Sequence, residues 1–265
     1  MIKDGGQRIA TFDGAMLADP ASLGNLPGIA TPTLATPTLA VVDMAATDIF
    51  EPAFWAARGE LVDVTHGRGS AWFIESAAHH WALRHYRRGG FIARLSRDRY
   101  VWAGEERVRA FAEWRLLAAL TELGLPVPKP IAAHYRRTGI FYRCDLITQR
   151  IAGAQPLSSM LGAAPLREGA WREVGLTVAR FHAAGVDHAD LNAHNILLDG
   201  HGAVSVIDFD RGRLRRPGAW TSRNLSRLRR SLAKISRGLP PDRFSDAAWR
   251  IFLAAYASAL VHAPS

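Results

Sequence analysis

The segment from His188 to Asn195 carries the densest group of polar side chains in the chain, and Asp208 follows it closely. A loop carboxylate such as Asp190 can accept the proton of a reacting hydroxyl group. The oxygens of Asn195 and Asp208 suit Mg²⁺, which takes few protein ligands and completes its coordination with phosphates and water. These residue types predict proton transfer and metal binding in one place.

A predicted hairpin brings the two metal-binding candidates together. Residues 195–198 and 203–207 have the pattern of short strands, and the Asp-Gly-His-Gly sequence before the second strand favours a tight turn. A hairpin places the start of its first strand beside the end of its second. Asn195 and Asp208 are therefore predicted neighbours.

The spacing of these residues matches the HRDxxxxN and DFG pattern of kinase-like phosphotransferases. In that pattern the loop Asp orients the acceptor hydroxyl, while the Asn and the second Asp hold metal. One alternative is that the polar residues only cap turns. Another is a metallohydrolase site built from His188, Asp190 and His194, which leaves Asn195 and Asp208 unexplained.

A kinase also needs a cation for the donor phosphates, and the sequence restricts which residue can supply it. No lysine lies between Lys3 and Lys129. The string WALR, ending at Arg84, stands where Val-Ala-Ile-Lys is usual, and Ala82 and Arg84 share one face of the strand. Arg can clamp phosphate oxygens in a bidentate manner. The predicted partner of Arg84 is Glu113, on the helix that follows.

A short glycine-containing loop is the weakest part of the predicted nucleotide site. Gly67, Gly69 and Ser70 lie in the string HGRGS between two predicted strands, where backbone N–H groups can cradle phosphates. Trp72 stands where a third glycine would be expected.

The elements that must position these residues divide the chain into three segments. Strands are predicted at 60–65, 71–76, 81–86 and 140–151, and helices at 105–123, 170–184 and from 222 onward. We expect a poorly ordered extension over residues 1–48, an N-lobe over 49–150 and a C-lobe over 151–265. The predicted fold is α+β and bilobal, with a strand-rich N-lobe, a helical C-lobe that carries the catalytic hairpin, and a cleft between the lobes.

Composition excludes several classes of protein. The single Cys144 rules out a disulfide scaffold and a Cys-rich zinc site, and favours a reducing compartment. The uncharged stretch 20–42 contains four prolines, so we expect no membrane span there, and the N-terminus has no signal-peptide pattern. The net charge of +9 indicates a nucleic acid, an anionic membrane face or a phosphorylated substrate as partner. Only 57 residues follow Asp208, without an Ala-Pro-Glu motif, which favours a small acceptor or a lipid headgroup.

Four strings together resemble the 3-deoxy-D-manno-octulosonic acid (Kdo) kinases of Gram-negative bacteria over about residues 60–240. They are LRHYRRGG (83–90), EWRLLAALTELGLPVPKP (113–130), HADLNAHNILLD (188–199) and IDFDRGRLRRP (207–217). The resemblance implies a protein-kinase-like fold and ATP-dependent phosphorylation of the 4-hydroxyl of a Kdo sugar on Kdo-lipid IVA. It also implies work in lipopolysaccharide core assembly at the cytoplasmic face of the inner membrane.

The resemblance also implies roles for individual residues. Asp190 matches the proposed active-site Asp of the family, and the roles in binding Mg²⁺ fall on Asn195 and Asp208. Gln149, on the nucleotide side, stands where Glu is usual, and the Pro- and Thr-rich stretch 31–40 departs from the family pattern.

Basic clusters at 84–99 and 211–237 are predicted to bind an anionic membrane surface and the phosphates of the lipid acceptor. Ten of the 27 residues from Arg211 to Arg237 are Arg or Lys, which would also serve a nucleic-acid-binding protein. A protein that only binds nucleic acid does not require Asp190, Asn195 and Asp208 together, so we expect no nucleic acid as partner. We also infer no obligate protein partner. An aminoglycoside or choline kinase, a basic nucleic-acid-binding protein and an inactive kinase-like scaffold stay as alternatives.

Overall fold

The computed structural model describes residues 6–19, 22, 47–64, 71–76, 79–87, 98–216 and 218–261. Contacts divide the chain into two compact units: Met1–Ala119 with Lys129–Arg150, and Leu120–Pro128 with Ile151–Ser265. Over the described ranges, no helix combines the length and apolarity that crossing a bilayer requires. The α+β class predicted from the sequence is confirmed.

The first unit is built on one antiparallel sheet. Its strands are β1 (Gln7–Thr11), β2 (Gly14–Ala18), β3 (Leu61–Val64), β4 (Ala71–Glu75), β5 (His80–His85), β6 (Tyr100–Val101), β7 (Pro130–Thr138) and β8 (Phe141–Gln149). They lie in the order β1-β2-β7-β8-β5-β4-β3, and β6 pairs with β8. The sequence pattern predicted β3, β4, β5 and β8 within two residues of their ends, and it missed β1, β2, β6 and β7.

One face of this sheet carries the hydrophobic core of the unit. A 3-10 turn (Asp48–Phe50) and helix α1 (Pro52–Ala56) bring Ile49 and Trp55 onto it, both fully buried. The Trp55 indole Nε1 donates a hydrogen bond to the Ile49 carbonyl at 2.7 Å. From β5, Trp81 and Leu83 belong to the same core. Because side chains alternate along a strand, Ala82 and Arg84 lie on the opposite face.

Helix α2 (Arg109–Glu122) packs its apolar side against that opposite face of the sheet. Phe111, Trp114 and Leu117 are buried, and the Phe111 ring meets the ring of Tyr135 on β7 edge to face. Gly124 follows with a φ of +65°, a left-handed conformation that favours glycine after a helix. The prediction of a helix over 105–123 is confirmed, except that residues 105–107 form a 3-10 turn.

The prediction of a poorly ordered extension over residues 1–48 is wrong for its described part, because β1 and β2 form a hairpin. Residues 15–18 of β2 are buried, and β2 pairs with the edge of β7. A Cβ on Gly14 would lie 1.9 Å from the Tyr135 carbonyl oxygen, so only glycine fits this approach. Burial of an apolar strand against β7 supplies the order that local composition did not indicate. The repeat at 31–40 lies outside the described residues.

The described part of the second unit contains the helices α3 (Leu157–Ala163), α4 (Glu168–Ala183), α5 (Trp220–Ser236) and α6 (Asp246–Val261). Its short strands are β9 (Gln155–Pro156), β10 (Val186–Asp187), β11 (Ile196–Leu198), β12 (Val204–Val206) and β13 (Arg213–Leu214). Strand β11 pairs with both β12 and β9, and β10 pairs with β13. The predicted hairpin and the predicted helices are confirmed.

Candidate active site

The predicted pair of Arg84 and Glu113 is present in the first unit. Arg84 Nη2 donates a hydrogen bond to Glu113 Oε2, and the Tyr86 hydroxyl donates to the same oxygen. Arg84 Nη2 also donates to the Tyr86 hydroxyl at 2.9 Å. The three side chains therefore form a closed triangle between β5 and α2.

This triangle is set in an apolar environment. The Glu113 side chain is 3% exposed, whereas that of Arg84 is 20% exposed. Burial raises the pKa of the Tyr86 hydroxyl well above its ordinary value, so this group stays protonated and acts as a donor. The Arg84 guanidinium carbon lies 4.6 Å from the centre of the Tyr86 ring, within cation–π range. A buried carboxylate with two donors fixes the position of the arginine.

The other residues predicted for the nucleotide side are only partly placed. Ala82 lies in β5 opposite Thr148 of β8, on the same strand face as Arg84. Gln149 ends β8 with an exposed side chain, and its backbone N–H donates to the Lys129 carbonyl at 2.8 Å. Gly67, Gly69 and Ser70 lie outside the described residues.

In the second unit, the loop after β10 presents Asp190 with its side chain 57% exposed. The ring of His188 holds this loop through two hydrogen bonds. Its Nε2 lies 3.0 Å from the Ile207 carbonyl oxygen, and its Nδ1 accepts a hydrogen bond from the Asp190 backbone N–H at 3.2 Å. Since a carbonyl can only accept, the proton of the neutral ring lies on Nε2. Burial lowers the pKa of His188, which favours this neutral form. The ring thus ties the loop to the end of the hairpin.

The hairpin brings Asn195 and Asp208 close along the backbone, as predicted. The Ile207 N–H donates to the Asn195 carbonyl at 2.9 Å, which extends the β11–β12 ladder by one pair. Asn195 Nδ2 donates a hydrogen bond to the Asp190 carbonyl at 3.0 Å. This bond fixes the orientation of the Asn195 amide and leaves its Oδ1 as the atom that can accept a hydrogen bond or bind a cation. Asp208 follows with a φ of +63°, a conformation uncommon outside glycine. Such strained positions are frequent at functional sites.

The alternative metallohydrolase site is not supported. Both ring nitrogens of His188 are already engaged by backbone groups. The His194 Nδ1 lies 2.8 Å from the Ser158 hydroxyl. Within the described ranges, no three His, Cys, Asp or Glu side chains are grouped as metal ligands.

Sequence reasoning missed Asn224, which anchors the loop from His188 to Asn195 to helix α5. Its Oδ1 accepts the His188 backbone N–H at 3.1 Å, and its Nδ2 donates to Asp187 Oδ1 at 3.0 Å. Asn224 is 5% exposed, and Arg215 donates to the second oxygen of Asp187. No local signal in the sequence indicates this role, because the burial of Asn224 depends on how α5 packs.

Sequence reasoning also missed the ion pair between Asp190 and Arg227. Arg227 Nη1 donates to Asp190 Oδ1 at 2.9 Å. The basic segment 211–237 was predicted to face anionic lipid, but the structure directs one of its arginines to the predicted catalytic carboxylate. Arg227 also lines an open depression of about 480 Å³.

The profile of the Lipopolysaccharide kinase (Kdo/WaaP) family matches residues 52–256. A "3-deoxy-D-manno-octulosonic acid kinase" of Stenotrophomonas maltophilia (strain K279a) is 51% identical over 188 residues, which cover 71% of this chain and 75% of the relative. The protein of the same name from Xylella fastidiosa (strain 9a5c) is 49% identical over 205 residues, 77% of this chain and 80% of the relative. That from Xanthomonas campestris pv. campestris (strain B100) is 50% identical over 188 residues, with 71% and 75% covered.

Proposed function

The chain belongs to the lipopolysaccharide kinase (Kdo/WaaP) family, and we propose that it transfers phosphate from ATP to the 4-hydroxyl of a Kdo sugar on Kdo-lipid IVA. The family membership confirms the resemblance inferred from the four sequence strings, and with it the protein-kinase-like fold. The protein is therefore a phosphotransferase that acts on a hydroxyl group.

The observation that carries the proposal is the set of hydrogen bonds that fixes the loop from His188 to Asn195. The neutral His188 ring and the Asn224 side chain accept hydrogen bonds from the backbone N–H groups of Asp190 and His188, and Asn195 donates one to the Asp190 carbonyl. These bonds fix the backbone around Asp190, while its carboxylate stays half exposed. A fixed, accessible carboxylate is what orientation of a hydroxyl nucleophile requires.

In the proposed reaction, the acceptor oxygen forms a bond to the γ-phosphorus of ATP while the bond to the β–γ bridging oxygen breaks. The hydroxyl proton goes to Asp190, and ADP leaves. Arg84, fixed by Glu113, would hold the donor phosphates through its planar guanidinium group. Asp190 would orient the acceptor oxygen.

Asn195 and Asp208 fit the binding of Mg²⁺. Asn195 presents a carbonyl oxygen because its amide nitrogen is engaged by Asp190, and Asp208 adds a carboxylate. Two oxygen ligands suit Mg²⁺ when substrate phosphates and water complete its coordination. When bound, the ion neutralises charge on the phosphate oxygens.

Incubation of the protein with ATP, Mg²⁺ and Kdo-lipid IVA tests the proposal. The expected product carries one added phosphate by mass, and NMR places it on O4 of the Kdo residue. Phosphate on a different hydroxyl would contradict the assigned position. Transfer to an aminoglycoside or to choline in place of the glycolipid would favour the alternative kinase classes.

We further propose that the protein works at the cytoplasmic face of the inner membrane as a peripheral protein. Exposed basic side chains support this proposal: Arg211, Arg213, Arg216, Lys234 and Arg237. Each Lys or Arg near an anionic bilayer contributes about 1 kcal/mol of binding free energy. Arg84, at the start of the other basic cluster, is turned toward Glu113 instead, and residues 88–97 lie outside the described part of the chain.

Sedimentation with vesicles tests the membrane proposal. The protein should pellet with phosphatidylglycerol vesicles, stay in solution with phosphatidylcholine vesicles, and dissociate at about 0.5–1 M NaCl as the Debye length approaches about 3 Å. A variant with Arg216→Gln and Lys234→Gln should pellet less. The matched control carries Arg172→Gln and Arg250→Gln, two exposed arginines outside the basic clusters. Binding that ignores lipid charge and salt would contradict the proposal.

A further inference from the structure

One side of helix α5 carries an unbroken row of cations. At 100° per residue, Arg223, Arg227, Arg230 and Lys234 fall within a sector of about 60°. Like charges three and four residues apart repel one another, and no acidic residue occurs anywhere in α5. An exposed row of this kind, which the helix itself does not neutralise, indicates a ligand of opposite charge.

Three of these cations surround the open depression of about 480 Å³ beside the catalytic loop. Its lining includes Arg223, Arg227, Arg230, Ser222, Ser226 and Asp187. Arginine and serine side chains supply N–H and O–H donors, which suit an oxyanion with several acceptor oxygens. The volume lies within the range of small-molecule sites.

Arg227 connects this depression to the predicted catalytic base. Its Nη1 donates to Asp190 Oδ1 at 2.9 Å, and its side chain is 49% exposed. A guanidinium has five N–H donors in a rigid plane, so one group can bind Asp190 while others bind an anion in the depression. An acceptor anion held there lies next to the carboxylate that must meet the acceptor hydroxyl.

We propose that Arg227 binds the carboxylate of the acceptor sugar and thereby aligns the reacting hydroxyl of that sugar with Asp190. Arg223 and Arg230 complete this subsite. This inference rests on the proposed function, because it requires a sugar acid as the acceptor. The oxyanion could also be a phosphate of the lipid. The carboxylate is favoured because it is attached to the sugar ring that bears the reacting hydroxyl, whereas the lipid phosphates lie on other sugars.

The test pairs an enzyme variant with a substrate variant. Wild-type protein and Arg227→Gln are compared on Kdo-lipid IVA, on its Kdo methyl ester, and on the glycolipid without its lipid phosphates. With the free acid, kcat/KM for the acceptor should fall about 10- to 100-fold in Arg227→Gln, the effect of losing a hydrogen bond to a charged group. With the ester, the same substitution should cost less than about threefold, because the negative charge of the sugar carboxylate is already absent.

Other outcomes of the same measurement overturn the proposal. An equal loss on acid and ester would mean that Arg227 acts on Asp190 or on the donor phosphates alone. Selective loss of the Arg227 effect on the dephosphorylated glycolipid would assign the subsite to a lipid phosphate. Arg227→Lys should recover only part of the activity, since it keeps the charge and loses the planar fork.

The matched control is Arg250→Gln, on helix α6 and outside the basic clusters. Arg250 is exposed, as Arg227 is. It should leave acceptor kinetics unchanged. Binding of a Kdo methyl glycoside, measured by NMR titration, separates the inference from the proposed function. If the wild type binds the acid about tenfold more tightly than the ester, and Arg227→Gln does not, the subsite stands even if no phosphate is transferred.

Discussion

At position 84, an arginine performs the pairing for which a lysine is usual in kinases, and the surrounding side chains suit the larger group. Its Nη2 contacts both Glu113 and the Tyr86 hydroxyl. Its guanidinium carbon lies over the Tyr86 ring, 4.6 Å from the ring centre. A lysine ammonium could reach one of these partners, but it has neither a flat face nor a fork.

We therefore predict that Arg84→Lys lowers kcat/KM for ATP by about 10- to 100-fold although the charge is kept. Thermal unfolding should show a folded protein, because Arg84 is partly exposed. Steady-state kinetics at varied ATP measures the effect. The matched control is Arg115→Lys. Arg115 lies on the same helix as Glu113 and forms an ion pair with the exposed Glu106. A fully active Arg84→Lys enzyme would mean that the planar shape of the group is irrelevant.

Asn195→Ala and Asp208→Ala should both act through the metal. Loss of a neutral ligand weakens Mg²⁺ binding, so Asn195→Ala should regain part of its activity at high Mg²⁺. Asp208→Ala removes a charged ligand and should not recover over the same range. Initial rates at increasing Mg²⁺ distinguish the two. Rates that depend on Mg²⁺ as in the wild type would contradict the assignment.

Some site residues could be predicted from sequence and others could not, for a physical reason. The spacing of residues in the sequence was enough to predict Asp190, Asn195 and Asp208, and helical periodicity was enough to predict Glu113. Asn224 and Arg227 act on a loop more than 30 positions earlier in the chain. Their partners are set by tertiary packing of α5, which the sequence of the helix does not encode locally.

Among the elements, those with strong periodicity or turn signals were predictable. The hairpin of β11 and β12 follows from its Asp-Gly-His-Gly turn, and α2 from its apolar spacing. Strand β7 was missed although residues 130–135 are buried. Its run of apolar residues lacks the alternation typical of a strand with one exposed face, because β7 pairs on both sides and is covered on both faces at this end.

Helix α4 offers a test of how closely the second unit is packed. A Cβ on Gly175 would lie 2.4 Å from the Phe252 carbonyl oxygen of α6, so Gly175→Ala should lower the free energy of unfolding by about 1–3 kcal/mol through overpacking. Gly169, in the same helix, has open space around it. Gly169→Ala should instead stabilise the protein by up to about 1 kcal/mol through helix propensity. Denaturant unfolding of both variants gives the comparison, and equal effects would contradict the close packing.

For the whole molecule, buried neutral histidines predict acid sensitivity. Burial lowers the pKa of His134 to about 3 and of His182 to about 4, and it also lowers that of His188. Since unfolded histidine titrates near 6.5, the unfolded state binds more protons between about pH 6.5 and 4. The unfolding free energy should therefore fall with pH in this window. The pKa values of His85 and Asp145 are raised, and these groups act in the opposite direction.

The contribution of His182 can be isolated by substitution. One buried histidine contributes a slope of up to about 1.4 kcal/mol per pH unit. His182→Gln should be less stable at pH 7, because the contact with the Tyr256 hydroxyl at 2.8 Å changes, and should lose less stability between pH 6.5 and 4. His201→Gln, at an exposed turn, should keep the wild-type slope. An unchanged slope in His182→Gln would contradict the burial argument.

The most direct measurement is phosphate transfer by wild-type protein and Asp190→Asn, each incubated with ATP, Mg²⁺ and Kdo-lipid IVA. Asp190→Asn keeps the size of the side chain but removes the proton acceptor, so kcat should fall by about 10² to 10⁴. ATP binding, followed by Mg²⁺-dependent thermal stabilisation, should be nearly unchanged. The account predicts O4-phosphorylated glycolipid from the wild type and almost none from the variant. Retention of more than about a tenth of the wild-type kcat by Asp190→Asn would show that Asp190 is not the base.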